Sequence, residues 1–111
     1  MSIMPQPLVH HAQPRTEDAR EYYVRVRHHR VFLWGSAGIG IDVKFSPPPV
    51  LHIWNDTFGE PIAIGTRKAN GAERALGELR PGEHFSIELH DISGVFAECH
   101  HESRVACVIY R

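Results

Sequence analysis

The 111-residue chain has no long apolar run, no excess of charge of either sign and only two cysteines. A helix that spans a bilayer needs ~20 consecutive apolar residues, and no stretch approaches that length. Lys and Arg number 12 against 13 Asp and Glu, whereas proteins that hold nucleic acid usually carry a strong basic excess. The first residues show neither the basic start nor the apolar core of a secretion signal. We therefore expect no membrane and no nucleic acid as partner, and a protein used without export.

Two cysteines are too few for a disulfide scaffold. Cys99 and Cys107 flank a predicted turn at 100–104, which would let them face each other across the last hairpin. Cross-strand disulfides are geometrically awkward, and small buried thiols are common in protein cores. The favoured interpretation is two reduced core thiols.

Segments with the period of a helix are absent as well, and from Glu21 onward apolar residues alternate with polar ones. Tyr22, Val24 and Val26 share one face of the first strand, for example, while Tyr23, Arg25 and Arg27 share the other. Strands are predicted at 21–27, 31–34, 39–45, 50–55, 61–66, 85–89, 95–97 and 105–110. A polar loop with a weak strand near its end is predicted at 68–77. Turn signals every eight to twelve residues indicate an all-β fold, an antiparallel β-sandwich or jelly roll of about eight strands over residues 19–111.

Residues 1–18 differ from the rest of the chain. They hold Pro5, Pro7, Pro14 and the doublet His10-His11, and they show neither period. Prolines spaced in this way favour an extended, solvated chain. The sequence therefore predicts an extended N-terminal arm, free in a monomer or laid on a neighbouring molecule.

Catalytic motifs are lacking. Gly35, Gly38 and Gly40 precede a predicted strand rather than the helix that a phosphate-binding loop requires, so they predict a turn. Ser86, His90 and Asp91 are the residue types of a hydrolytic triad, but Ser86 lies in mid-strand without the exposed elbow of a nucleophile. We predict no enzymatic activity and no cofactor.

Histidine, in contrast, is abundant, with nine residues of which six lie in adjacent pairs. Neighbouring residues of a strand face opposite ways, so one pair supplies at most one ligand to a metal site. The best local cluster is His100 and His101 with Cys99 and Glu102, although its spacing matches no established zinc pattern. The prediction is no metal site. Because histidine gains charge near pH 6.5, histidines at subunit contacts would weaken assembly on mild acidification.

The second half of the chain, from 50 to 110, resembles small β-sandwich structural proteins of tailed bacteriophages. The residues that carry the resemblance are turn and core positions along that half: Asn55, Pro61 to Gly65, Gly71, Leu79 to Glu83, Ser86 to Leu89, Phe96-Ala97 and Val105 to Val108. The first half, with its triple proline at 47–49, departs from the pattern. The resemblance implies a virion protein made in the host cytoplasm, used for capsid decoration or associated with the head or tail.

Such a protein would act by symmetric self-association, with a trimer favoured, and by docking onto other virion proteins such as the major capsid protein. The residues expected at these interfaces lie in the arm, on the polar face of the first strand and at one tryptophan: Pro5, Pro7, His10, His11, Tyr23, Arg25, Arg27 and Trp54. Two alternatives remain open. One is a carbohydrate- or small-ligand-binding module that uses Trp54 as a platform, and the other is a cupin-like metal enzyme with histidine ligands.

Overall fold

The computed structural model describes residues 20–35 and 48–110, and these residues form eight β-strands. The predicted arm at 1–18 and the predicted strand at 39–45 lie outside the described residues. In chain order the strands are β1 (Arg20–Arg27), β2 (Val31–Gly35), β3 (Val50–Asn55), β4 (Ile62–Lys68), β5 (Glu73–Leu79), β6 (His84–Glu88), β7 (Ile92–Cys99) and β8 (Glu102–Tyr110).

Two four-stranded antiparallel sheets pack face to face. The first sheet has the order β1-β8-β3-β6 and the second has the order β2-β7-β4-β5. Four of the pairings are nested, because β1 pairs with β8, β2 with β7, β3 with β6 and β4 with β5. This is the pattern of one long hairpin folded back on itself, which defines a jelly roll. The predicted fold is confirmed.

The core lies between the sheets and is built by the two-residue period of the strands. In β1, Val26 is fully buried while Tyr22 and Val24 pack against the core, and in β6 the inward residues are Phe85 and Ile87. The buried apolar residues of this core come from seven of the eight strands and from the turn after β6: Val26, Leu33, Leu51, Ile53, Ile62, Ile64, Leu79, Leu89, Ile92, Val95, Ala97, Val105 and Cys107. Val108 is also buried, but on the outer side of β8. No membrane-spanning helix is found in the part of the chain that the structure describes.

The segment predicted as a polar loop contains a full strand. β4 continues to Lys68, a tight turn follows, and β5 occupies Glu73–Leu79. β5 is an edge strand, and only Leu76 and Leu79 among its side chains reach the core. A strand with so few inward apolar residues has almost no alternation to detect, which explains why the prediction placed only a weak strand there.

The last two strands do not form the hairpin that the sequence indicated. β7 belongs to the second sheet and β8 to the first, so the turn at 100–101 carries the chain from one sheet to the other. Both cysteines are free thiols. Cys107 is fully buried, and burial raises its pKa to about 12. The thiol of Cys99 donates a hydrogen bond to the carbonyl of Val26 (3.3 Å), and burial raises its pKa to about 11.

A buried polar cluster around Asn55 ties the two sheets together at one end. The Asn55 amide donates to the carbonyls of Glu60 (2.7 Å) and Leu79 (3.0 Å), and its oxygen accepts from the hydroxyl of Ser103 (2.6 Å). Its backbone N–H and C=O bond to Glu83 and Gly82. Every polar group of this buried residue is therefore satisfied, as burial of an amide requires.

Candidate functional site

The outer side of the first sheet carries a cluster of aromatic and apolar side chains, which we call the aromatic face. Register places Tyr23, Ala106, Trp54 and His84 in one row across β1, β8, β3 and β6. The next rows are Glu21, Val108, His52 and Ser86, followed by Tyr110, Val50 and Glu88. These residues alternate with the buried ones along each strand, so they are the residues that the sheet turns away from the core.

A cleft opens in the middle of this face, and we call it the aromatic cleft. Tyr23 and Trp54 flank it, and Ala106 and Val108 lie between them on the central strand β8. Its volume is about 380 Å³. The rim is completed by polar and small residues, namely Glu21, Asn55, Asp56, Thr57, Gly82 and Arg104. The cleft exists because the smallest side chain of the row, Ala106, stands between its two largest.

Contacts within the face orient both aromatic walls. The guanidinium of Arg104 lies 4.3 Å from the ring centroid of Tyr23, which nevertheless remains 53% exposed. Trp54 stacks on His52 at a centroid distance of 5.9 Å and contacts His84 in a tilted arrangement at 5.3 Å. Both walls are therefore set in place by their neighbours before anything binds between them.

His52 forms a hydrogen-bonded relay beside the cleft. Its Nδ1 lies 2.5 Å from the hydroxyl of Ser86, and its Nε2 lies 2.9 Å from the hydroxyl of Tyr110. Desolvation lowers the pKa of His52, and the neighbouring His84 lowers it further. A neutral ring donates one of these bonds and accepts the other. The two partners of the ring are thus hydroxyl groups, whereas a carboxylate orients the histidine of a hydrolytic triad.

The loop after β3 presents a second aromatic group beside the cleft. Phe58 is 94% exposed, the highest exposure of any large apolar residue in the described chain. Its backbone N–H donates to the carboxylate of Asp56 (3.1 Å), and the N–H of Gly59 donates to the carbonyl of the same residue (3.0 Å). Gly59 is required here, because a Cβ at this position would lie 1.9 Å from Oγ of Ser103. The loop is a tight, hydrogen-bonded turn that holds its aromatic side chain in solvent.

The outer side of the second sheet, which we call the charged face, is built differently. Its central aromatic residue, Phe96, is covered by Arg30, whose guanidinium lies 3.8 Å from the ring centroid. Arg30 and Arg67 both donate to the carboxylate of Glu73, at 2.8 and 2.9 Å. The two guanidinium groups lower the pKa of Glu73, chiefly through the hydrogen bond from Arg30. Here the aromatic group is sealed by the chain's own cation.

The four candidate metal ligands are directed to different partners. His101 contacts Glu60 through its backbone N–H and its ring, with Nδ1 3.4 Å from the carboxylate, and the backbone bond is the main cause of the lowered pKa of Glu60. Glu102 lies 3.2 Å from Arg25, and Cys99 bonds to the backbone of β1. His100 stacks edge-on against His101. Within residues 20–35 and 48–110 no group of three or more His, Cys, Asp or Glu side chains could hold a metal ion.

Among the predicted interface residues, Tyr23 and Trp54 meet across the aromatic cleft, while Arg25 and Arg27 lie further along β1 toward Glu102. Pro5, Pro7, His10 and His11 lie outside the described residues. Sequence reasoning missed Phe58 and Ala106. The residues around Phe58 indicate a turn, since Asn55-Asp56 precedes it and Gly59 follows, but a turn does not by itself indicate that the ring is exposed. Ala106 acquires its role only from the register that sets it between Tyr23 and Trp54.

No protein-family model matches the chain, and no curated protein matches it in sequence. Among solved structures, the chain is similar in fold to a protein of Bacillus endospore appendages, which form disulfide-linked pili. The TM-score is 0.53 at 11% sequence identity, and the match covers 84% of each chain. At this identity the likeness shows a shared fold alone.

Proposed function

We propose that this protein is a structural subunit that works by symmetric self-association, in the virion of a tailed phage. The observation that carries the proposal is the pair of exposed aromatic side chains on and beside one sheet face, Tyr23 at 53% and Phe58 at 94% exposure. Aromatic residues in such positions are enriched where protein surfaces meet. Burial of Phe58 against a partner would remove this apolar surface from water, which favours association.

The fold supports the same proposal. Jelly rolls serve in viral capsids, and also in lectins and cupins, so the fold limits the choice without making it. The similar Bacillus protein forms pili, which are assemblies of many subunits. The phage assignment rests on the resemblance of residues 50–110 to phage β-sandwich proteins.

Self-association of this chain is proposed to be non-covalent. The sequence has only two cysteines, Cys99 and Cys107, and both thiols are engaged or buried within the sandwich. Raised thiol pKa values make both residues poor nucleophiles for disulfide exchange. In this respect the chain is proposed to differ from the disulfide-linked pili.

Native mass spectrometry of the purified protein over a concentration series tests the proposal. We expect a closed oligomer that survives a thiol reductant, and the sequence-level expectation for its size is a trimer. A monomer at every concentration would contradict self-association. Proteomic analysis of density-purified phage particles tests the virion assignment, where we expect this chain in a fixed ratio to the major capsid protein.

A ligand-binding module is the second candidate, because the aromatic cleft also has the features of a saccharide site. Two aromatic walls and a polar rim with Asp56, Thr57 and Arg104 suit stacking and hydrogen bonding to a sugar ring. Titration of the protein with a panel of oligosaccharides, followed by the fluorescence of Trp54 in a Trp34→Phe background, tests this candidate. Saturable binding to a monomer would favour it over the structural role.

A further inference from the structure

Within residues 20–35 and 48–110, Phe58 packs against almost nothing of its own chain. A ring that is 94% exposed contributes almost nothing to the burial that stabilises the core. The turn nevertheless holds it through two hydrogen bonds to Asp56. A side chain whose backbone is already fixed loses less conformational entropy on binding than one on a loose loop. The turn therefore presents Phe58 as a preformed aromatic anchor.

The aromatic cleft has the dimensions of a receptor for one such ring. Tyr23 and Trp54 lie on either side of Ala106 in the register of the sheet. Neighbouring strands are about 4.8 Å apart, so the backbones that carry the two walls are separated by roughly 10 Å. A ring placed midway lies above Ala106, about 5 Å to the side of each strand that carries a wall, and aromatic pairs attract at centroid separations of roughly 4.5–7 Å. A volume of about 380 Å³ leaves room for a benzyl group.

The anchor does not occupy the cleft of its own molecule. Asp56 and Thr57 line the cleft, but the ring of Phe58, the next residue, remains in solvent. The backbone of the anchor thus adjoins the cleft through Thr57. Such an arrangement lets a two-fold axis place the anchor of each copy opposite the cleft of the other, which is the geometry of an isologous contact.

We propose that Phe58 of one copy inserts between Tyr23 and Trp54 of a second copy, in a two-fold contact with two reciprocal insertions. This inference rests on the self-association proposed above and names its site. The rim has both signs of charge, with Arg104 against Glu21 and Asp56, so facing copies can set a guanidinium opposite a carboxylate. The contact predicts a dimer rather than a trimer as the smallest unit.

Two single variants of the full chain test the contact by sedimentation velocity over a concentration series. Phe58→Ser removes the anchor without touching the core, and Ala106→Leu fills the cleft from its floor. We expect each to raise the dimer dissociation constant at least tenfold, as loss of a central aromatic contact does. Phe58→Leu keeps an apolar anchor and should lose less. Ala63→Leu is the matched control, because Ala63 is an exposed alanine on the outer side of the second sheet.

Mixing the two variants gives the decisive result. The Phe58→Ser chain keeps its cleft and the Ala106→Leu chain keeps its anchor, so the mixture should form a heterodimer with one insertion although neither chain pairs alone. If wild type associates and both variants associate equally well, the inference is wrong while the proposed self-association stands. If wild type is monomeric at every concentration, both are wrong. Saturable quenching of Trp54 by a saccharide that leaves the wild-type dimer intact would show that the cleft is free in the dimer and overturn the inference.

Discussion

The two outer faces of the sandwich treat their aromatic residues in opposite ways. On the charged face, Phe96 is covered by Arg30, and Glu73 holds that arginine in place. On the aromatic face, Arg104 lies against one side of Tyr23 but leaves half of it exposed, and Trp54 stands across an open cleft. Both faces therefore have an arginine over an aromatic ring, but only on the charged face does the arginine cover the ring. The charged face is therefore covered by its own side chains, and the open aromatic face is the surface for which we propose a partner.

Removal of the polar cluster beneath both faces should have the largest effect. Asn55→Ala deletes three side-chain hydrogen bonds, so the carbonyls of Glu60 and Leu79 each lose a donor and the buried hydroxyl of Ser103 loses its acceptor. We expect a loss of about 3 kcal/mol in the free energy of unfolding. Urea denaturation followed by tryptophan fluorescence measures it. Asp56→Ala, which alters an exposed neighbour, is the control, and an equal loss in both variants would contradict the role of the cluster.

Breaking only the charged face should have the next largest effect. In Gly65→Val a Cβ would stand 2.5 Å from the ring of Phe96 and 3.0 Å from the carbonyl of Arg74, so the ring must leave its place under Arg30. The expected cost is about 2 kcal/mol of unfolding free energy. Self-association should be unchanged, because the charged face is not the proposed contact. Ala63→Val, on the same strand and exposed, serves as the control in the same denaturation experiment.

A substitution on the aromatic face should reduce self-association more than it reduces stability. Trp54→Ala removes the stacks on His52 and His84 but opens no cavity between the sheets. We expect a loss of about 1.5 kcal/mol in unfolding free energy together with a loss of oligomer in sedimentation. Trp34→Ala is the contrasting variant, since Trp34 packs against the core. It should be the more destabilising of the two, and its folded fraction should still associate.

Uncovering Phe96 should cost less. Arg30→Gln removes the cation over the ring and one of the two partners of Glu73. An exposed cation–π contact contributes ~0.5–1 kcal/mol, so the thermal midpoint should fall by only a few degrees. Arg30→Lys tests the geometry, because a lysine keeps the charge without the planar group. Equal thermal midpoints for wild type and Arg30→Gln would show that the contact between Arg30 and Phe96 does not stabilise the fold.

The smallest effect concerns the pH dependence of the aromatic face. Burial lowers the pKa of His52 below its ordinary value of 6.5, with Ser86 and His84 on one side and Tyr110 on the other. The unfolded chain therefore binds a proton at His52 before the folded chain does. Stability that is fully present above pH 6.5 should decline as the pH falls toward the lowered pKa. His52→Gln should flatten this decline in denaturation curves taken between pH 7.5 and 5, and an unchanged slope would contradict the assignment.

The fold was predictable because the alternation of apolar residues is a local signal. Phe85 and Ile87 could be assigned to the core from their spacing alone, and seven of the predicted strands match strands of the described chain. The polar edge strand β5 was obscure for the same reason, since an edge needs few inward residues. Sheet membership is not a local property, so Cys99 and Cys107 were assigned to one hairpin although their strands lie in different sheets.

The candidate site could be predicted only in part. Tyr23 and Trp54 could be predicted as contact residues because large aromatic side chains are enriched where protein surfaces meet. Their meeting across Ala106 depends on β8 lying between β1 and β3, a non-local pairing that no short motif encodes. His52 acquires its partners Ser86 and Tyr110 in the same way. Residue types were therefore visible in the sequence, while their neighbours were not.

The nested pairing of the strands has a consequence for folding during synthesis. β1 bonds along its length to β8, the last described strand, and β3 bonds to β8 on its other side. The first sheet therefore cannot form until β8 has been synthesised, when nearly all the described chain has left the ribosome. Contacts so distant in sequence form slowly, and unpaired strand edges are open to wrong partners in the meantime. A chain that ends before β8 would lack the strand that joins β1 to β3, so its first sheet could not form.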